Sequence, residues 1–143
     1  MLSLSHESHP RRRASKLLYH AQYRARRDGL ECSLTREWVL RELERGTCAA
    51  TGIPFDLKGG YGSKVMNRHA PSIDRIDPAK GYTPDNCQIV VYQYNAAKGG
   101  WSAEGVLVIA RALVAQNAGH PQLYACSIIR IEYNGRHDNN PPK

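Results

Sequence analysis

Residues 71–98 read PSIDRIDPAKGYTPDNCQIVVYQYNAAK, and this stretch decides the fold that the sequence predicts. The segment SIDRI predicts a short strand, and CQIVVYQ, which is rich in β-branched residues, predicts a second one. Between them, DPAKG and TPDN each place a proline where a type I turn accepts it. From NAAK onwards the composition favours a helix. The order strand, long turn, strand, helix brings the end of the first strand close to the start of the helix.

Asp74 and Asn95 lie at those two places, 21 positions apart (95 − 74). A carboxylate and an amide carbonyl are both hard oxygen donors, and together they can hold Mg²⁺ while leaving room for water and phosphate oxygens. A metal ion held there would stabilise the charge on a scissile phosphate. In the middle of the turn, the amide of Asn86 can bridge backbone groups and hold the loop in shape. Surface ion pairs, turn chemistry and a helix cap are the ordinary explanations of the same residues.

The stretch resembles the HNH (His-Asn-His, ββα-metal) endonuclease superfamily, in the variant with Asp-Arg in place of Asp-His. That variant occurs in phage HNH proteins and rare-cutting restriction enzymes, and the preceding CAATGIPF also resembles the segment that leads into the motif in phage relatives. The resemblance implies that Asp74 and Asn95 bind a divalent ion, Mg²⁺ or Mn²⁺, and that Asn86 is the central loop asparagine. Arg75 takes the position of the first histidine. The implied fold is an α+β domain with a ββα-metal hairpin, flanked by N-terminal and C-terminal helices.

Arg75 cannot be the general base of such a site, because a guanidinium stays protonated at any working pH. It is suited instead to clamp a phosphate and to stabilise the added negative charge. The base must then lie elsewhere, and we predict His69 first because imidazole titrates near neutral pH. Proton loss to solvent or to a substrate phosphate stays open. So do three further side chains, His20, Tyr23 and Glu31.

The net charge of +7 is concentrated near the N-terminus, where residues 11–27 hold seven Lys or Arg and no acid. Such a block suits a phosphate backbone, because neutralised phosphates release condensed counterions. A solvated helix or an anchor on acidic lipid also explains the charge, but the block lacks the large apolar face of a membrane helix. We therefore predict DNA as the partner. The predicted contacts are Arg11, Arg12, Arg13, Lys16, Arg24, Arg26, Arg27 and Lys98.

The four cysteines include no CxxC pair, whereas a structural zinc site usually takes two close Cys or His pairs. Many HNH relatives carry zinc on such pairs, so this chain departs from them. We expect no structural zinc and small buried thiols instead. A mixed site of Cys48, His69 and Cys87 is the alternative.

The length of 143 residues fits one domain, residues 1–143. Residues 11–28 predict a basic first helix that stops at Asp28-Gly29. The segment SLTREWVLRELERG predicts a second helix, with Ser33 or Thr35 as N-cap. Its core face is predicted to be Trp38, Val39 and Leu43.

A last helix is predicted over residues 102–118, capped by Ser102. LYACSIIRIEY then predicts a strand, and residues 134–143 a loose tail. The predicted buried face of the helix is Val106, Ile109, Ala110, Leu113 and Val114.

Together these features predict a metal-dependent endonuclease that hydrolyses double-stranded DNA. The alternative is a non-catalytic DNA-binding module on the same scaffold, in which Arg75 marks lost activity. RNA binding is disfavoured, since the chain has one Phe and no ladder of aromatic residues. No apolar run could span a bilayer and no signal peptide is evident, which predicts a cytoplasmic protein of a bacterium or phage-infected host. A homodimer is left open.

Overall fold

The computed structural model describes residues 9–58 and 67–118, which form a helical and antiparallel-sheet structure of the predicted α+β class. The chain divides into two compact units, Met1–Val106 and Leu107–Lys143. The single-domain prediction stays a prediction, and the predicted last strand and tail lie outside the described residues. In chain order the elements are α1 (His9–Asp28), α2 (Arg36–Glu44), β1 (Pro71–Arg75), β2 (Cys87–Val91), α3 (Tyr92–Lys98) and α4 (Ala103–Gln116).

The main core lies between α1, α2 and one face of the hairpin of β1 and β2. Helix α2 begins after Thr35, whose hydroxyl accepts a hydrogen bond of 3.1 Å from the backbone N–H of Trp38. This cap satisfies one of the N–H groups that a helix leaves unpaired at its start. The core consists of a stripe of small and branched residues on α1 (Ala14, Leu17, Ala21, Ala25), the predicted face of α2 (Trp38, Val39, Leu43), and Ile73, Cys87 and Ile89 from the hairpin.

The hairpin register places Asp74 directly opposite Gln88. Just beyond the strand ends, the N–H of Ile76 bonds to the carbonyl of Asn86 at 2.7 Å, which makes the even-numbered residues of β1 the hydrogen-bonded pairs. In an antiparallel ladder the intervening residues then direct their carbonyls away from the partner strand. Odd-numbered residues of both strands therefore face the two outer edges of the sheet.

Those outward carbonyls all find donors from neighbouring segments. On β1, the carbonyl of Ile73 accepts from the side-chain amide of Asn95 at 3.0 Å, and that of Arg75 accepts from the ammonium of Lys98 at 2.8 Å. On β2, the carbonyl of Ile89 accepts a backbone N–H from the loop after α2 at 2.9 Å. Both edges of the two-stranded sheet are thus covered, β1 by side chains of α3 and β2 by a loop.

Asn86 closes the long turn between the strands. Its Oδ1 accepts the backbone N–H of Asp77 at 3.0 Å, and its Nδ2 donates to the carbonyls of Asp77 and Gly81 at 3.0 and 2.8 Å. The side chain is 8% exposed, so these bonds are shielded from water. The turn is in turn fastened to the α1–α2 connection, where the backbone of Tyr82 donates to Glu31 and accepts from Ser33.

Gly81 is required by this fastening, because a Cβ there would lie 2.5 Å from the carbonyl oxygen of Glu31. We predict that Gly81→Ala lowers the free energy of unfolding by roughly 1–3 kcal/mol, as overpacking of a tight contact does. Gly100→Ala is the matched control, since a Cβ there meets nothing within 4 Å. Urea unfolding of both variants checks this prediction, and equal stabilities would contradict it.

The end of β2 and the start of α3 differ from the prediction. The sequence predicted a strand up to Gln93 and a helix from Asn95, whereas β2 ends at Val91 and α3 begins at Tyr92. Since β1 begins only at Pro71, opposite Val91, β2 has no ladder partner further along. Asn95 therefore lies in the middle of α3 rather than at its first residue.

Helix α4 begins after Ser102, whose hydroxyl accepts the N–H of Gly105 at 3.3 Å. The prediction of a buried face on α4 is wrong for the described residues, because none of them in this helix is buried. Leu107, Val108 and Ile109 are consecutive, so their side chains diverge by about 100° and one packing partner could not bury them all. No helix of the described part of the chain is both long and apolar enough to cross a membrane.

Candidate active site

A cavity of about 310 Å³ lies between β1, α3, the long turn and α1. Strand β1, helix α3 and helix α1 each place polar or charged side chains on its wall. The cavity thereby joins the hairpin motif to the basic N-terminal helix. The residues that matter for its chemistry are Arg24, Ser72, Asp74, Arg75, Tyr82 and Asn95.

Asp74 is held rigidly although it lines the cavity, since only 2% of its surface is exposed. Its Oδ1 lies 2.9 Å from the Nζ of Lys98, and its Oδ2 accepts a hydrogen bond of 2.9 Å from the side-chain amide of Gln88. Gln88 reaches it because the two residues are direct cross-strand neighbours. A carboxylate oxygen has two lone pairs, so each oxygen keeps one that could face the cavity.

Lys98 is the cation that accompanies this carboxylate. It is 1% exposed and donates both to Asp74 and, at 2.8 Å, to the carbonyl of Arg75. It follows Asn95 by three positions, a spacing that puts two side chains on the same helix face. The predicted contact between Lys98 and DNA is therefore corrected, because an ammonium buried behind β1 cannot reach a phosphate backbone.

Asn95 lies on the cavity wall and is oriented by two hydrogen bonds. Its Nδ2 donates to the hydroxyl of Ser72 at 2.8 Å and to the carbonyl of Ile73 at 3.0 Å. Its Oδ1 accepts no hydrogen bond from the described residues. The cavity thus brings Asn95 and Asp74 together, as the sequence predicted, with an oxygen of each available.

Tyr82 organises two guanidinium groups at this cavity. The guanidinium carbon of Arg75 lies 4.9 Å from the ring centroid of Tyr82, within the range of a cation–π interaction. The Nη1 of Arg75 also donates to the carbonyl of Lys80 at 3.1 Å. Arg24 donates through Nε to the hydroxyl of Tyr82 at 3.1 Å, and its guanidinium carbon is 5.8 Å from the ring centroid. Two cations are therefore fixed on one buried aromatic side chain.

The charge of this arrangement does not fit a divalent cation in the protein as folded. Arg24, Arg75 and Lys98 face a single carboxylate, Asp74, which leaves an excess of two positive charges. Asp74 and Asn95 offer the atom types that Mg²⁺ prefers, but the negative charge that would attract the ion is already neutralised. Within residues 9–58 and 67–118, no three His, Cys, Asp or Glu side chains come together in a way that could hold a metal ion. The cavity is instead suited to an anion.

The four candidate bases do not line the cavity. His69 lies before β1, where its backbone carbonyl accepts from Asp56 and its N–H donates to Asn67. The ring of His20 contacts Tyr19 edge-on at 5.6 Å. Tyr23 is exposed, and Glu31 meets the long turn through its backbone. The role of His69 stays a prediction without support from its position.

Among the described cysteines, Cys32, Cys48 and Cys87 are free thiols. Burial raises the pKa of Cys87 to about 12, so this side chain is a neutral thiol in the protein as folded. The expectation of no structural zinc stays a prediction, and the fourth cysteine lies outside the described residues.

The predicted DNA contacts on α1 divide into three groups. Arg24 lines the cavity, and Arg13 is only 9% exposed, which removes it from the accessible surface. Arg27 forms two hydrogen bonds with Asp28, of 2.6 and 3.0 Å, and these raise the pKa of Arg27 and lower that of Asp28. The remaining basic residues of the helix are exposed: Arg11, Arg12, Lys16 and Arg26.

Two residues of the site were not predicted from the sequence. Gln88 could have been found, because the alternation of the two strands places it opposite Asp74 once the turn is closed. Tyr82 carried a weaker signal as an aromatic residue between two turn segments. Its contact with Arg24 joins residues 58 positions apart, which no local pattern indicates.

Comparison with known proteins supports the fold. No protein-family model matches the chain, and no curated protein matches it. Among solved structures, the chain is similar to PacI, a rare-cutting HNH restriction endonuclease described for its perturbation of DNA. The two are 20% identical with a TM-score of 0.54, over 74% of this chain and 80% of that chain. At this identity the likeness concerns the fold, and the chain has the α+β architecture of an HNH endonuclease.

Proposed function

We propose that the protein is a DNA nuclease that hydrolyses phosphodiester bonds at this cavity. The observation that carries the proposal is the meeting of the hairpin residues Asp74, Arg75 and Asn95 with Arg24 of the basic helix in one electropositive cavity. The fold shared with an HNH restriction endonuclease supports it. The Asp-Arg form of the motif and the preference for double-stranded DNA are part of the proposal.

The chemistry of the cavity begins with phosphate binding. Arg24 and Arg75 present planar guanidinium groups, which can form paired hydrogen bonds with phosphate oxygens. Because Tyr82 already fixes both groups, little side-chain freedom is lost when they bind. The same two cations can stabilise the negative charge that grows on the phosphate as water attacks. Substrate phosphate or solvent accepts the proton from that water in this proposal.

Mg²⁺ or Mn²⁺ is the cofactor that the family resemblance implies. In the protein as folded the charge around Asp74 does not favour a divalent ion, so we assign no step to one here. A bound ion would supply charge stabilisation at the scissile phosphate. Its necessity is therefore a matter for the assay that tests the function.

A non-catalytic DNA-binding module is the second candidate. It is favoured by one observation: Lys98 neutralises Asp74, the carboxylate on which the hydrolytic proposal depends. Such a module would use the exposed basic face of α1 and the two arginines of the cavity without cleaving the bound strand.

The discriminating experiment incubates supercoiled plasmid with the protein in Mg²⁺, Mn²⁺ or EDTA and separates the products on a gel. Binding to a labelled duplex is measured in parallel. Relaxed or linear product that disappears with Arg75→Ala supports the nuclease, and the form of the product distinguishes nicking from double-strand cutting. Binding without cleavage under all three conditions favours the module. Neither binding nor cleavage would contradict both candidates.

The exposed part of α1 gives a prediction about salt dependence. We expect the triple replacement of Arg11, Arg12 and Arg26 with Ala to weaken binding to all DNA sequences and to make the plot of log affinity against log salt less steep. The expected change is roughly 0.9 in slope for each phosphate contact removed. Fluorescence anisotropy over a salt series checks this. Loss of affinity for one sequence alone would show that these arginines contact bases instead.

A further inference from the structure

We infer that Lys98 keeps the cation site at Asp74 closed in the DNA-free protein, so that a divalent metal ion binds there only together with a phosphate. This inference rests on the proposed function for its biological meaning, but the contacts that carry it belong to the chain alone. It makes metal binding and DNA binding one coupled event rather than two independent ones.

The position of Lys98 is the first step. Its ammonium lies 2.9 Å from the Oδ1 of Asp74 and 2.8 Å from the carbonyl of Arg75, and it is 1% exposed. An ammonium with two such acceptors and no contact with water has no alternative position of comparable energy. Lys98 is therefore a permanent counter-ion of Asp74 rather than a mobile side chain that leaves when another cation arrives.

The sum of charges is the second step. A divalent ion that approached Asp74 from the cavity would meet a carboxylate neutralised by Lys98 and two further cations, Arg24 and Arg75. Repulsion between like charges at such separations is strong in a partly dehydrated cavity. The DNA-free cavity consequently disfavours the ion, although Asp74 and Asn95 both present oxygen atoms to it.

A phosphate changes this balance. A phosphodiester bound between Arg24 and Arg75 would bring a negative charge and additional oxygen ligands into the cavity. The ion would then have Asp74, Asn95 and the phosphate as neighbours, which is the mixed protein and substrate coordination that Mg²⁺ commonly takes. The metal thus enters with the substrate, and the DNA-free protein carries none at this position.

The test measures Mn²⁺ binding by the loss of the free-ion signal in electron paramagnetic resonance, on DNA-free protein. We expect weak binding by the wild type and a gain of about tenfold or more in Lys98→Met, because one neighbouring cation is removed. Lys98→Gln is the second neutral variant, in case Lys98→Met is poorly folded. Lys98→Arg, which keeps the charge, should bind as weakly as the wild type. Adding Asp74→Asn to the neutral variant should abolish the gain and so identify the site.

Thermal unfolding provides an independent readout, because an ion that binds only the folded state raises its melting temperature. Mn²⁺ should stabilise Lys98→Met or Lys98→Gln more than the wild type. For the coupled event, the wild type is titrated with Mn²⁺ in the presence of a duplex with phosphorothioate linkages, against that duplex alone, and tighter binding is expected.

Three outcomes would overturn the inference: wild-type protein without DNA that binds Mn²⁺ at Asp74 as tightly as the neutral variants, neutral variants that show no gain, or no effect of the duplex on Mn²⁺ affinity. Failure of the proposed function is distinguishable, because cleavage takes no part in these measurements. A protein that never cuts plasmid but shows the gain in Lys98→Met retains the closed cation site and loses only the nuclease assignment.

Discussion

Replacing Asp74 with Ala is expected to lower the free energy of unfolding by about 3–5 kcal/mol, the usual cost of removing one partner of a buried ion pair. The variant leaves the ammonium of Lys98 buried, with only the carbonyl of Arg75 as an acceptor. It also leaves the amide of Gln88 without its acceptor. Urea unfolding followed by circular dichroism measures this effect. An exposed acid of the same turn, Asp85, is the control, and Asp85→Ala should change stability by less than about 0.5 kcal/mol.

The double variant Asp74→Ala/Lys98→Met separates the pair from its surroundings. When both charges are absent, neither is left uncompensated, so the double variant should lose much less stability than the sum of the two single variants. Additive losses would show that the pair contributes nothing as a pair and would contradict its description as a neutralised unit. Loss of cleavage by Asp74→Ala alone would not prove a role in metal binding, because the same variant perturbs the fold.

Arg75→Ala is expected to reduce the rate of plasmid cleavage on the order of 10²–10³-fold, as loss of one donor to a transition state does. The reason is the fixed position of its guanidinium above Tyr82, on the wall that carries Asp74. Arg75→Lys should recover part of the rate, since Lys keeps the charge but loses the planar pair of donors. The measurement is the initial rate of supercoil loss at saturating protein.

The control for Arg75 is Arg41→Ala, because Arg41 is an exposed arginine of α2 that does not line the cavity. It should cleave as the wild type does. Arg75→His adds a test of the missing base: a rate at least equal to that of the parent, with a new dependence on a group titrating near neutral pH, would show that the position can support proton transfer. If neither Arg75→Ala nor Arg75→His changes the rate, Arg75 has no part in the reaction.

The local parts of the structure could be predicted from the sequence, since they depend on short patterns. The turn segments and β-branched runs predicted the hairpin, the side chain of Thr35 caps α2, and Asn86 makes the contacts that close the loop. Asp74 and Asn95 were placed at the same end of the hairpin, and they line one cavity.

The features that were missed depend on contacts between distant segments. A lysine at the end of a helix is normally solvated, so only the tertiary structure reveals that Lys98 is buried against Asp74, 24 residues away. The stacking of Arg24 and Arg75 on Tyr82 requires α1 to pack beside the turn. For α4, the periodicity of apolar residues indicated a buried face, but periodicity does not reveal whether another element covers that face.

The covering of the β1 edge by α3 has a consequence for the behaviour of the protein in concentrated solution. An uncovered strand edge is a template on which a strand of another molecule can pair, and this is a route to aggregation. A sheet of two short strands has no interior strand, so both of its strands are exposed to that hazard. Asn95 and Lys98 occupy the outward carbonyls of Ile73 and Arg75 and so prevent such pairing along β1. The helix that supplies side chains to the cavity therefore also protects the molecule against self-association.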